Sequence, residues 1–134
     1  MLTLPTAILR HDTGADRHYD WLMGSPPWDA TVPADRLWTA RVSLPLSAWS
    51  RGRTWQACEI APHRRVYLTH QGPIRSDGPS RGSVFRIARG HVTVARWLPH
   101  HRVLRLTLPS LAGTVVLHRL DAAVWQACWL GQTP

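Results

Sequence analysis

Arg10 to Trp21 reads Arg-His-Asp-Thr-Gly-Ala-Asp-Arg-His-Tyr-Asp-Trp. Two short alternating runs flank a segment of turn chemistry. Asp12 to Asp16 holds Gly14, which is free to adopt positive φ, and two Asp residues that favour turns. With Tyr19 on a strand, His18 and Asp20 project from one face, their Cα atoms roughly 6.5–7 Å apart. A tight turn then folds the chain back and carries His11 beside that pair. The spacing predicts a β-hairpin with two imidazoles and one carboxylate converging on one point.

Outward from this hairpin the hydrophobic period stays near two. Thr6–Arg10 and His18–Met23 form its arms, with Tyr19, Trp21 and Met23 opposite His18, Asp20 and Leu22. Gly24 to Pro27 breaks the second strand. Asp29–Arg36 is a loop. Leu37–Leu44 is a strand, with Trp38, Ala40, Val42 and Leu44 on its apolar side and Thr39, Arg41 and Ser43 on its polar side. Pro45–Arg53 is loop-like with room for one helical turn, and Thr54–Ile60 fits either a strand or a short helix. His63–His70 (HRRVYLTH) is expected to be a strand with His63, Arg65, Tyr67 and Thr69 on one face. Gln71–Gly82, rich in Gly and Pro, is the long loop. Ser83–Ala88, a turn at Arg89-Gly90, and His91–Trp97 are expected to form a second hairpin. Val103–Leu108, Thr114–Leu120 and Val124–Leu130 complete the set. The pattern predicts a mainly β fold: a single-domain β-barrel, residues 1–134, of about eight strands with long loops and little helix. Trp21, Trp38, Trp97, Trp125 and Trp129 lie on the expected strands and should fill the core. Trp28, Trp49 and Trp55, in or near loops, should be partly buried.

A chain of 134 residues buries roughly two-thirds of its unfolded surface and folds without a disulfide or structural metal. Cys58 and Cys128 belong to no paired motif and are expected as two buried free thiols in a reducing cytoplasm. No apolar run has membrane-spanning length, and Leu2–Leu9 is too short and too proline-interrupted for a secretory signal. The net charge is +8, and all sixteen basic residues are Arg. Guanidinium groups grip phosphate bidentately, so this excess favours an anionic polymer such as nucleic acid. No glycine-rich phosphate loop and no Gly-x-Ser-x-Gly elbow occur. With one Glu against seven Asp, a paired-carboxylate hydrolase has little support. Chemistry is left to the histidines.

In order along the chain, these residues resemble the 3′-phosphoesterase domain of bacterial DNA ligase D. His11-Asp12 and His18-Tyr19-Asp20-Trp21 resemble its His-Asp…His-Tyr-Asp-Phe signature. Leu37 to Val42 resembles its Leu-x-Ser-Trp-Ala-Val strand. His63-x-x-x-Tyr67 with His70-Gln71-Gly72-Pro73-Ile74 resembles its His-Pro-x-x-Tyr…Glu-Gly-x-Ile segment. Arg81 to Val84 with Ala88-Arg89-Gly90 resembles its Gly-Thr-Val…Asp-Arg-Gly hairpin, and Leu111 to Leu120 its last Leu-x-Gly-x-Trp-x-Leu-x-Arg strand. The resemblance covers about residues 7 to 130. It implies a β-barrel whose crater holds a divalent metal, manganese first, with zinc or cobalt as stand-ins. It implies removal of a 3′-terminal ribonucleotide or 3′-phosphate from DNA or DNA/RNA ends in repair, beside a DNA ligase or other end-joining proteins. Carried over by position, His11, His18 and Asp20 are metal ligands, and His63 and Tyr67 line the reacting phosphate. By their place on the chain rather than by the resemblance, Arg65 through its face and Arg41 through its polar strand side, with Arg10 and Arg17 by proximity, are the candidates to bind phosphate. The chain departs from the family at Leu22, where the family has a phosphate-binding Arg. It departs again at Gln71 for Glu, at Leu9 for Gln, by one extra residue between His11 and His18, and by lacking the N-terminal arm.

Mn²⁺ bound by two imidazoles and a carboxylate, with open positions, suits Lewis-acid work on a phosphoryl oxygen. Two other readings stand beside this one. A non-catalytic nucleic-acid-binding module of the same fold is motivated by Leu22 and the missing arm. An Fe(II)-dependent oxygenase would use His18-x-Asp20 with a distant His, such as His118 next to Arg119.

Overall fold

The computed structural model describes residues 1–74 and 82–132. Most of the long Gly/Pro loop, and Arg81 of the motif quoted above, lie outside them. Nine strands are present among the described residues: β1 (Thr3–Asp12), β2 (Arg17–Met23), β3 (Arg36–Val42), β4 (Thr54–Arg64), β5 (Gly72–Pro73), β6 (Ser83–Trp97), β7 (His101–Thr107), β8 (Ala112–Arg119) and β9 (Val124–Gly131). They form one antiparallel sheet in the order β1-β2-β3-β4-β9-β8-β7-β6-β5. Pairing of β1 with β6 closes the sheet in a ring. Closure leaves no long edge exposed, which an open sheet of this size would have to protect. The mainly β, low-helix expectation is met. Among the described residues two short 3₁₀ turns, Leu46–Ala48 and Arg65–Leu68, are the only helical segments.

Two of the expected secondary-structure assignments are corrected. Arg89-Gly90 is no turn, because Ser83–Trp97 runs as one strand of fifteen residues. Its first part pairs with β1 and its last part with β7. Gly90 is needed for close approach instead: a Cβ there would sit 1.9 Å from the Thr107 carbonyl oxygen. Bulges opposite Ile8/Leu9 and within Val94–Arg96 bend this strand, and such bends let one long strand serve two sides of a closed sheet. The second correction is His63–His70. His63 and Arg64 end β4, and Arg65–Leu68 coils as a 3₁₀ turn. Face alternation therefore stops at Arg64.

The interior of the ring receives side chains from all eight long strands. Its largest members include Trp21, Trp38, Trp55, Trp97, Trp125 and Trp129, with Trp49 from the 3₁₀ region. Trp49 and Trp55 are thus fully part of the core and stack with ring centroids 4.3 Å apart, whereas Trp28 is exposed. Cys58 and Cys128 are free and half-buried, not fully buried.

A buried cation completes this interior. Arg102 is 2% exposed. Its guanidinium carbon lies 3.8 Å from the Trp97 ring centroid and 4.4 Å from that of Trp125. Nη2 is 3.5 Å from Asp29 Oδ2, which also accepts from Trp97 Nε1 at 2.8 Å. Burial pushes the Arg102 guanidinium down to about 10, against the pull of Asp29 and Glu59. This sandwich pins the 24–35 loop to the end of the ring.

A second, smaller apolar cluster sits on the other side of the sheet: Ala7, Leu9, Leu22, Leu37 and Leu68, with Tyr67 packed on it. Alternation sends these side chains outward from β1, β2 and β3, and Leu68 of the 3₁₀ turn covers them. The outward-facing His11, His18 and Asp20 belong to this face.

Candidate metal and phosphate site

The β1–β2 hairpin builds the centre as its sequence predicts. Gly14 has φ +86°, and Thr13 N–H donates to the Asp16 carbonyl at 2.9 Å. The register sets His11 directly opposite His18 and Leu9 opposite Asp20. His11 Nδ1 and His18 Nε2 stand 3.1 Å apart, and His18 Nε2 is 3.5 Å from Asp20 Oδ2. One donor atom from each of the three residues falls within 4.8 Å of the others. Donors held about 2.1 Å from a shared ion stand about 3.0–3.4 Å apart at octahedral to tetrahedral angles. The His18 distances match that spacing. Asp20 is 2% exposed, and its Oδ1 has no hydrogen-bond partner. A buried carboxylate with an unmet oxygen is costly, and a cation at this point would offset that cost. The residues therefore fit a divalent metal.

His63 approaches from β4. Its Nε2 is 3.7 Å from Asp20 Oδ2, and its Nδ1–H donates to the Ala61 carbonyl at 3.1 Å. That bond sets the tautomer and leaves Nε2 turned to the carboxylate. The His63 backbone N–H donates to Thr39 Oγ1 at 3.2 Å, and Thr39 Oγ1 donates to the Leu37 carbonyl. Thr39, on the polar side of its strand, is fully buried. Tyr67 stands with its ring centroid 5.4 Å from that of His63. The 3₁₀ turn, not strand alternation, brings these two residues together.

These groups line a hollow of about 460 Å³ on the outer face of the sheet, with Arg36, Arg41 and Arg64 around it. None of the core tryptophans is among its lining residues. Arg41 lies on β3 across the ladder from Asp20, and its Nη2 stands 3.2 Å from His18 Nε2, a contact that an ion bound at that nitrogen would replace, freeing the guanidinium. Arg65 is not among the lining residues; it borders a neighbouring hollow beside the 24–35 loop. Arg10 and Arg17 are held on Asp12, at 3.2 and 3.1 Å. His118 stands beside His101 on the β7–β8 ladder, so His11, not His118, completes the three-donor set.

Sequence reasoning missed Arg36 and Arg64 at the site. They face each other across the β3–β4 ladder, and reading 63–70 as one strand had turned Arg64 away. Thr39 was missed because a lone Thr on a strand carries no chemical signal.

No protein-family model matches the chain, and comparison with curated proteins finds no match. No helix among the described residues is long and apolar enough to cross a membrane.

Proposed function

We propose that this protein is a metal-dependent phosphoesterase acting on 3′ ends of nucleic acid, removing a 3′-phosphate or 3′-ribonucleotide in DNA end repair. One observation carries the reading: a buried carboxylate and two imidazoles converge at metal-ligand spacing in a hollow that also holds His63 and three arginines. His11, His18 and Asp20 would hold the ion, manganese first. The ion would supply a Lewis acid for a phosphoryl oxygen. Arg41 and Arg36 offer donors to the non-bridging oxygens and offset the charge that spreads over them during displacement. His63 Nε2, when protonated, gives its proton to the leaving 3′-oxygen as the P–O bond breaks; water forms the new P–O bond and releases its own proton to solvent, which leaves free inorganic phosphate. Tyr67 packs against the His63 ring and limits its rotation.

The test is inorganic phosphate release with Mn²⁺ from a 3′-phosphorylated DNA strand, offered both single-stranded and annealed to a template. The wild type releases phosphate, and His18→Ala reduces the rate by at least about a thousandfold, on the order of 4 kcal/mol of barrier. Absence of turnover by the wild type across several divalent metals overturns the reading.

A binding module of the same fold is the second reading, and Leu22 favours it. Where the ligase domains carry a phosphate-binding Arg, Leu22 is fully buried in the apolar cluster beneath the site. Salt-sensitive DNA binding with no hydrolysis is the outcome that selects it.

A further inference from the structure

Arg36 borders two hollows at once. One is the His–Asp site, and the other, of about 400 Å³, lies between Arg65 and the 24–35 loop. Across the ladder from Arg36 stands Arg64, and Arg65 follows it. Three guanidinium groups thus mark the passage from one hollow to the next. The walls of the second include Pro26, Pro27, Val32 and Pro33. Proline has no N–H, so this wall offers apolar contact with few directional donors. Among the described residues Asp29 is the one carboxylate in that lining, and it is already engaged by Thr31, Trp97 and Arg102. The local balance is cationic.

We propose that the second hollow is a subsite for the nucleotide next to the reacting end, and that the substrate is a single-stranded 3′ tail laid from the metal site across Arg36 to Arg65. The proposal rests on the phosphoesterase reading of the first hollow and adds the form of the substrate. Arg64 and Arg65 take successive backbone phosphates, and the proline wall bears against a base or sugar without reading its sequence. A concave subsite admits an unpaired nucleotide, whereas a paired one is held in its duplex. The volumes of both hollows fall within the range of small-ligand pockets, about 300–1,000 Å³.

Fluorescence anisotropy with labelled oligothymidylates bearing a 3′-phosphate tests this, in chelator so that nothing is turned over. The wild type is expected to bind a hexanucleotide about tenfold more tightly than a dinucleotide. Arg65→Glu brings that ratio below about threefold and lowers the slope of log affinity against log salt by about 0.7, the value of one single-strand phosphate contact. Arg105→Glu, an equal charge change at an exposed position of β7, leaves the ratio as it was. A blunt hairpin duplex binds no better than the dinucleotide. The proposal fails if Arg65→Glu spares the length ratio, if Arg105→Glu lowers it equally, or if the duplex binds as well as the hexanucleotide. Loss of phosphate release with the length ratio intact counts against catalysis and leaves the groove standing.

Discussion

Thr39 shows how one hydroxyl orders a site it does not enter. Its oxygen accepts from the His63 backbone N–H and donates to the Leu37 carbonyl, so it fixes where β4 sets His63 against Asp20. Thr39→Val keeps the shape and removes both bonds. The unmet groups left behind cost about 1–3 kcal/mol of stability. The positioning effect is separate: on the proposed phosphoesterase reading, kcat for phosphate release should fall about tenfold while manganese affinity, measured by calorimetry, stays within about twofold, because the three candidate donors sit on β1 and β2. Equal loss of both would mean that Thr39 acts only through stability. Arg102 makes a contrasting case. An arginine is ordinarily a surface residue, and this one is enclosed by Trp97 and Trp125 with Asp29 at its end.

At the scale of the element, β6 decides the architecture. A strand of fifteen residues serves both β1 and β7, and the chain passes from one partner to the other around Gly90. A methyl at Gly90 meets the Thr107 carbonyl oxygen, which is backbone and moves only with β7. Gly90→Ala should therefore destabilise the fold by about 1–3 kcal/mol in urea titration. A turn glycine with positive φ would also be hurt by alanine, so the sharper check is hydrogen exchange: protection should drop at the β6–β7 and β1–β6 ladders together. Loss confined to a local loop would contradict the continuous strand. The segment 63–70 teaches the reverse. Val66 and Tyr67 favour a strand by type, yet the chain coils there and Leu68 caps the apolar cluster on β1, β2 and β3.

For the whole molecule, the ring's end is closed by a charge-bearing contact, and that makes stability depend on pH. Burial alone would raise the Asp29 carboxyl. Hydrogen bonds from Thr31 and Trp97 and the nearby Arg102 charge outweigh it and hold the group below its ordinary 3.8. A carboxylate whose pKa is lower folded than unfolded contributes stability above its unfolded value. That contribution is lost as pH falls from about 3.8 through the folded value. Asp29→Asn should flatten this part of the acid-unfolding profile relative to the wild type, followed by tryptophan fluorescence. An unchanged acid limb would show that the loop is held by packing alone.

The alternation of apolar and polar residues settled the mainly β class, and the Gly14 turn with His-x-Asp after it settled where His11, His18 and Asp20 would meet. Both are local: a strand period and a tight turn act within a dozen residues, so residue order alone determines them. Ring closure through β6, the enclosure of Arg102, the part played by Thr39 and the removal of Arg65 to a neighbouring hollow were decided only by tertiary structure. Each depends on what lies across the sheet, and residues far apart in order exchange bonds there that no spacing along the chain encodes.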